Sequence, residues 1–220
     1  MQGPHFPCRS FWVVLCVGLA GLFSADPSMS ADTKDPDAYM AAPRWVAQDT
    51  LNQVMAVLAK KDASSRVRVS EIEQIVFNVF DFSTMSKLVL ARNWKRFNDE
   101  QRKEFTREFK LYLSRTYGGR LDRFSQTNIE VYGARIEPRG DVTVLSRVVG
   151  GEFDGITMNY RMRERKGQWK VIDVIVENVS LVSNFRSQFG EVISRGGPES
   201  LFAKMQAKNA EQRLIDSEAE

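Results

Sequence analysis

Apolar side chains recur at helical spacing through the first half of the chain. One stripe, predicting a helix that begins near Pro43, consists of Ala47, Leu51, Val54, Met55 and Leu58. A second helix follows from the capping box of Ser70 and Glu73. The apolar segment 80–94 predicts a third helix. The fourth begins at the Asn98 cap and carries the stripe Phe105, Phe109, Tyr112, Leu113 and Tyr117.

After residue 126 the apolar period changes from 3.6 to 2, which indicates strands. Four are predicted, near 129–132, 142–149, 156–163 and 169–176. Helical spacing returns from residue 182, stops at Gly196 and Gly197, and resumes after Pro198. This order predicts one α+β domain over 43–207, with helices across the concave face of a curved four-stranded antiparallel sheet.

The chain ends differ from this domain in composition. Arg9 precedes an unbroken apolar run over 11–23, shorter than the roughly 20 residues that a membrane-spanning helix needs. We therefore expect residues 1–30 to be a cleaved signal peptide and the protein to be exported. Residues 31–42 are polar and predict a flexible lead-in, and residues 208–220 predict a charged C-terminal tail.

The positions of the rare residues exclude several mechanisms. Cys8, Cys16 and the single histidine, His5, all lie in the predicted leader. The exported domain would therefore lack thiol redox chemistry, histidine-dependent nucleophilic catalysis and a His/Cys zinc site. The sequence also contains no phosphate-binding glycine motif. With 31 Lys and Arg against 28 Asp and Glu, the charge gives no reason to expect a nucleic-acid partner.

Two groups of polar residues leave alternatives open. Asp173 lies within an apolar strand, so it is either a buried, hydrogen-bonded carboxylate or a general base with Tyr160 as the acid. The basic residues Arg161, Arg163, Arg165 and Lys166 follow one strand and its turn. They form either a solvated surface or a patch that attracts anionic lipid headgroups or an acidic protein.

Large apolar side chains are abundant, with 14 Phe, 4 Trp and 8 Met in the chain. They would either fill a dense core or line a pocket between the helices and the sheet. We take the lining residues from the third and fourth helices and from the strands. They are Phe80, Phe82, Met85, Val89, Phe109, Leu113, Tyr117, Met158, Tyr160, Val174 and Val176.

The segment 167–189, GQWKVIDVIVENVSLVSNFRSQF, resembles the signature of the MlaC family of periplasmic phospholipid-shuttling proteins, also called toluene-tolerance auxiliary proteins. Segment 80–94, the aromatic stripe of the fourth helix and segment 197–201 resemble the same family in the same order. The resemblance covers roughly residues 45–206. Ala91 and Asn178 stand where the family commonly has glycine.

The resemblance implies an NTF2-like fold that carries a phospholipid with buried acyl chains and an exposed headgroup. It implies a periplasmic protein without enzymatic activity or cofactor, whose partners are an outer-membrane lipoprotein complex and an inner-membrane ABC transporter. The family's hopanoid-associated branch, HpnM, would carry a related lipid. The alternatives from other classes are an NTF2-like enzyme that uses Asp173 and Tyr160, and a scaffold protein with a filled core.

Overall fold

A computed structural model describes residues 35–218, except for the side chains of residues 120, 122 and 211–218. The predicted signal peptide lies outside the described residues. Four helices precede the sheet: α1 (Pro36–Leu58), α2 (Ser65–Val79), α3 (Phe82–Leu90) and α4 (Asp99–Tyr117). A long helix, α5 (Leu181–Glu218), follows it. Within 35–218, no helix is long and apolar enough to cross a membrane.

The sheet is an antiparallel meander in which each strand pairs with the next along the chain. Its strands are β1 (Asn128–Ile136), β2 (Val142–Val149), β3 (Met158–Arg165), β4 (Gln168–Val176) and β5 (Val179–Ser180). The α+β prediction is confirmed, but the predicted count of four strands is wrong. Strand β5 has only two residues, too few to show a period, and it returns through Glu177 and Asn178, both at positive φ.

Helices α1 and α2 begin earlier than the sequence suggested. The side chain of Asp35 accepts a hydrogen bond from the Asp37 amide at 3.0 Å, and Pro36 occupies the first turn, where a missing amide proton costs nothing. Residues 36–42 of the predicted lead-in are therefore helical. Ser64 caps α2, so the predicted capping box at Ser70 and Glu73 is also wrong.

The predicted third helix over 80–94 is shorter in the structure. Phe80 is extended and bridges Val171 of β4, and Asp81 caps α3 by accepting from the Thr84 amide at 2.8 Å. Helix α3 ends at Leu90, because Ala91 adopts φ 47° and ψ −118°, and a 3-10 helix (Ala91–Arg96) follows.

Helices α4 and α5 match their predictions at one end each. The Asn98 capping box of α4 is confirmed by two hydrogen bonds of 2.9 Å with Gln101. Helix α5 kinks at Gly196 and Gly197, as predicted, but it continues through most of the predicted tail. Asn209 is buried and donates to Glu108 Oε2 at 2.9 Å, so the packed structure extends beyond the predicted domain end at residue 207.

Four separate clusters of buried apolar side chains form the core. The helical cluster joins α3, α4 and α5 and contains, among others, Phe82, Met85, Val89, Phe105, Phe109, Phe185, Phe189 and Leu201. The sheet cluster is Ala47, Val142, Val144, Met162 and Val171. The strand-end cluster is Leu51, Ile129 and Val148, and the α1–α2 cluster is Val57, Leu58 and Ile72. Helix α1 contributes to three of them and so lies along one face of the sheet.

Candidate functional site

Half-buried apolar side chains connect the four clusters in a closed ring. Phe80 packs against the helical and sheet clusters, and Val131 and Tyr160 pack against the sheet and strand-end clusters. Met55 and Phe124 connect the strand-end and α1–α2 clusters, and Val76 connects the last of these to the helical cluster. We call these six the junction residues. Each of the six contacts two clusters while it stays half-buried.

Tyr160 is the junction residue that carries a hydroxyl group. It lies opposite Val174 on β4 and Val144 on β2, on the face of the sheet that α1 covers. Burial raises the pKa of its hydroxyl. Tyr160 nevertheless keeps accessible surface, and no described residue is recorded as a hydrogen-bond partner of its hydroxyl. Its ring therefore belongs to the half-buried apolar surface between the sheet cluster and the strand-end cluster.

The four predicted sheet residues lie on one face of the sheet. Tyr160 pairs with Val174 and Met158 pairs with Val176, and all four are half-buried. Because paired residues of adjacent strands point to the same face, these side chains form one apolar surface below the helices. Phe80, also predicted, is a junction residue, and Leu113 is half-buried at the edge of the helical cluster.

The other predicted lining residues lie elsewhere. Phe82, Met85, Val89 and Phe109 belong to the helical cluster, and none is more than 9% exposed. Phe109 stacks on Phe105 with ring centroids 5.6 Å apart and has the ring of Phe185 against its edge, also at 5.6 Å. Tyr117 is exposed near the end of α4. Much of the aromatic surplus therefore packs a dense helical core, as one of the two sequence alternatives proposed.

Sequence reasoning missed the junction residues Met55, Val76, Val131 and Phe124 as site residues. The first three lie on apolar stripes that the sequence does show. Periodicity identifies the buried side of an element, but it carries no information about which two clusters a side chain contacts. No sequence signal distinguishes these four from ordinary core residues.

The structure does not bring Asp173 and Tyr160 together. Asp173 pairs with Arg161 and Tyr160 with Val174, so their side chains point to opposite faces of the sheet. Asp173 accepts hydrogen bonds from Ser180 Oγ at 2.5 Å and from the Val182 amide at 3.0 Å. It therefore holds the start of α5, and the arrangement offers no acid–base pair. The described residues also contain no His, Cys, Asp and Glu group that could hold a metal ion.

Carboxylates neutralise most of the predicted basic patch. Arg163 donates to both carboxylate oxygens of Asp141, at 2.6 and 2.7 Å. Arg165 lies 3.1 Å from Asp81. Burial alone would raise the pKa of Asp81, but hydrogen bonds from Thr84 and Arg165 outweigh it and hold that pKa below its ordinary value. These arginines therefore fix the sheet surface rather than present free charge to an anionic ligand.

One family model and two known proteins are similar to this chain in sequence. The family model described as MlaC protein matches residues 48–207. Toluene tolerance protein ttg2D of Pseudomonas putida is 25% identical over 185 residues, which cover 84% of this chain and 85% of that protein. The intermembrane phospholipid transport system binding protein MlaC of Haemophilus influenzae is 25% identical over 133 residues, or 58% of this chain and 61% of that protein.

A solved structure shows the same architecture. The phospholipid-binding protein from Ralstonia solanacearum, determined in complex with a phospholipid, superposes with a TM-score of 0.71 at 23% identity. The match covers 79% of this chain and 99% of that one. The family model spans most of the domain, and the resemblance drawn from the sequence is confirmed. This chain belongs to the MlaC family.

Proposed function

We propose that this protein is a periplasmic carrier that holds a phospholipid with its acyl chains in the space enclosed by the junction residues. The observation that carries the proposal is the ring of six half-buried junction residues, which connects four otherwise separate apolar clusters. The names of the relatives support the lipid class: one binds phospholipid in an intermembrane transport system, and another was solved with a phospholipid.

Hydrophobic transfer explains why a carrier must enclose the chains. Each methylene kept from water is worth about 0.8 kcal/mol, so two chains with about 30 methylenes would cost on the order of 20 kcal/mol if exposed. Transfer between a bilayer and an apolar cavity keeps the chains in similar surroundings. The net free energy of exchange is then small, and loading and release can both occur.

The proposed partners are an outer-membrane lipoprotein complex that exchanges lipid with the carrier and an inner-membrane ABC transporter. The relative from Haemophilus influenzae supports a place in an intermembrane transport system. The family is one of lipid-binding transport proteins rather than enzymes. The separation of Asp173 from Tyr160 likewise gives no support to the alternative of a lipid-acting enzyme.

Native mass spectrometry of protein purified from a bacterial periplasm tests the proposal. We expect one diacyl phospholipid per protein, and its loss after organic extraction. The delipidated protein should then take up phospholipid from vesicles and deliver it to acceptor vesicles. Repeated preparations without lipid, together with no uptake from vesicles, would overturn the proposal. A bound hopanoid instead of a phospholipid would correct the cargo.

A further inference from the structure

A cleft of about 560 Å³ opens at the surface between α1 and the turn that joins β3 to β4. Its lining residues are Ala42, Trp45, Val46, Val79, Gly167, Gln168, Trp169 and Lys170. Trp45 is 68% exposed, which is unusual for so large an apolar side chain. Trp169 is half-buried and meets the ring of Tyr39 edge-on, with centroids 5.4 Å apart. Two indole rings therefore line one opening.

The cleft and two of the junction residues border the same apolar cluster. Val46, Val79 and Trp169 line the cleft, and all three pack against the sheet cluster. The junction residues Phe80 and Tyr160 pack against the same cluster. Phe80 follows Val79 directly and bridges β4 at Val171.

The chemistry of the cleft matches the boundary between the tails and the headgroup of a phospholipid. Lys170 Nζ donates to the Asn78 carbonyl at 2.7 Å, which holds the ammonium beside the cleft with two protons left for an anion. Lys166 is exposed on the adjoining turn, and the exposed Glu164 lies opposite Trp169 on β3. Indole rings are favoured where apolar material meets water. A glycerophosphate group joins an anion to acyl chains at such a boundary.

We infer that this cleft is the mouth of the lipid site, where acyl chains enter and where the glycerophosphate end stays beside Lys170. The inference rests on the proposed function and adds the location and polarity of the bound lipid. It makes α1 and the β3–β4 turn the surface that faces a donor or acceptor of lipid.

Depth-dependent quenching of tryptophan fluorescence tests whether the polar end of the lipid lies at this cleft. Phosphatidylcholine with a nitroxide at carbon 5 of one chain should quench Trp45 strongly, whereas the same lipid labelled at carbon 16 should quench it weakly. Trp45→Phe should reduce this difference, and the double variant with Trp169→Phe should remove it, because both indoles line the cleft. Trp94→Phe is the control and should keep it, because Trp94 packs against the helical cluster and stacks with Arg102.

The outcomes separate the two proposals. Native mass spectrometry on the same samples reports whether each probe is bound. If both probes bind and quench Trp45 equally, or if the carbon-16 probe quenches it more strongly, the inferred location of the mouth is wrong. The proposed carrier function would be unaffected by that result. If neither probe binds, the proposed carrier function is wrong, and the inference about the mouth fails with it.

A charge reversal tests the role of Lys170. Lys170→Glu should slow phospholipid transfer between anionic vesicles about tenfold, the size expected for losing one charged hydrogen bond to phosphate. Lys204→Glu is the matched control, since Lys204 lines a different cleft on α5. It should transfer lipid at the parent rate. Lys170→Gln removes the charge and keeps a donor for Asn78, so it should fold and show a smaller loss. Equal rates for all variants would refute the assignment.

Discussion

Filling the proposed lipid space with protein should displace the lipid without unfolding the domain. Val174 lies on β4 directly opposite Tyr160 and is half-buried. Val171, three residues earlier, lies opposite Met162, belongs to the sheet cluster and is only 3% exposed. Both valines point to the same face of the sheet. Val174→Phe and Val171→Phe therefore make the same chemical change, one beside the space and one in packed core.

The two substitutions should differ in their effects on stability and on lipid binding. Overpacking a dense core costs about 1–3 kcal/mol, so Val171→Phe should lower the melting temperature by roughly 2–12 °C. Val174→Phe should leave the stability of the delipidated protein within about 1 kcal/mol of the parent. Its ring adds roughly four carbon atoms and displaces as many methylenes of the lipid, worth about 3 kcal/mol or about a hundredfold in affinity.

Circular dichroism melting of delipidated protein measures stability, and phosphorus content per protein after equilibration with vesicles measures lipid binding. We expect Val174→Phe to melt like the parent and carry little lipid. Val171→Phe should melt earlier, and its folded fraction should carry a full load. If Val174→Phe melts as early as Val171→Phe and still binds lipid normally, Val174 belongs to packed core and the space lies elsewhere.

Three further predictions concern local structure. Asp173→Ala should destabilise the protein by about 3 kcal/mol in urea unfolding, because it removes two hydrogen bonds at the start of α5, and the folded protein should still bind lipid; lost binding with unchanged stability would contradict this role. Ala91→Gly should raise stability by about 1 kcal/mol, since Ala91 has φ 47°, and a lower urea midpoint would be the opposing result. The pKa of Asp81 lies below its ordinary 3.8, so its contribution to stability is complete above that pH and is lost as the pH falls through the folded-state pKa. Asp81→Asn should therefore narrow the difference in stability between pH 6 and pH 3, and an unchanged difference would refute this.

The sequence predicts the elements whose signals are local. Helix α4 has its capping box and its apolar stripe within a single segment; the box appears as predicted, and the stripe is buried or half-buried except for Tyr117. Strand β3 alternates apolar and polar residues, and β2 and β4 are rich in β-branched residues. The kink at Gly196 and Gly197 follows from the conformational freedom of glycine, and Gly197 has φ 75°.

The elements that the sequence mispredicts depend on contacts between distant segments. Helix α5 continues past residue 207 because Asn209 packs against Glu108, a contact between positions far apart in the chain. Strand β5 exists because its two residues pair with the end of β4. For α5, the polar composition after residue 207 predicts a tail. For β5, two residues are too few to show the pattern of a strand.

The candidate site divides in the same way. Alternation on β3 and the apolar run of β4 predict Met158, Tyr160, Val174 and Val176 as lining residues, and these four lie on one face of the sheet. On α3 the same reasoning selected Met85 and Val89, which are fully packed against α5. A buried stripe has the same pattern whether it packs on another helix or faces a ligand. Tertiary structure is needed to separate the two.

Photocrosslinking tests most directly the claim that acyl chains occupy the space among the four clusters. The parent protein would be loaded with a phospholipid that carries a diazirine near the end of one chain, irradiated, digested and mapped by mass spectrometry. We expect adducts on junction residues, foremost Tyr160, Met55 and Phe80. Adducts confined to the outer face of the sheet or to the α5 cleft beside Lys204 would contradict the account.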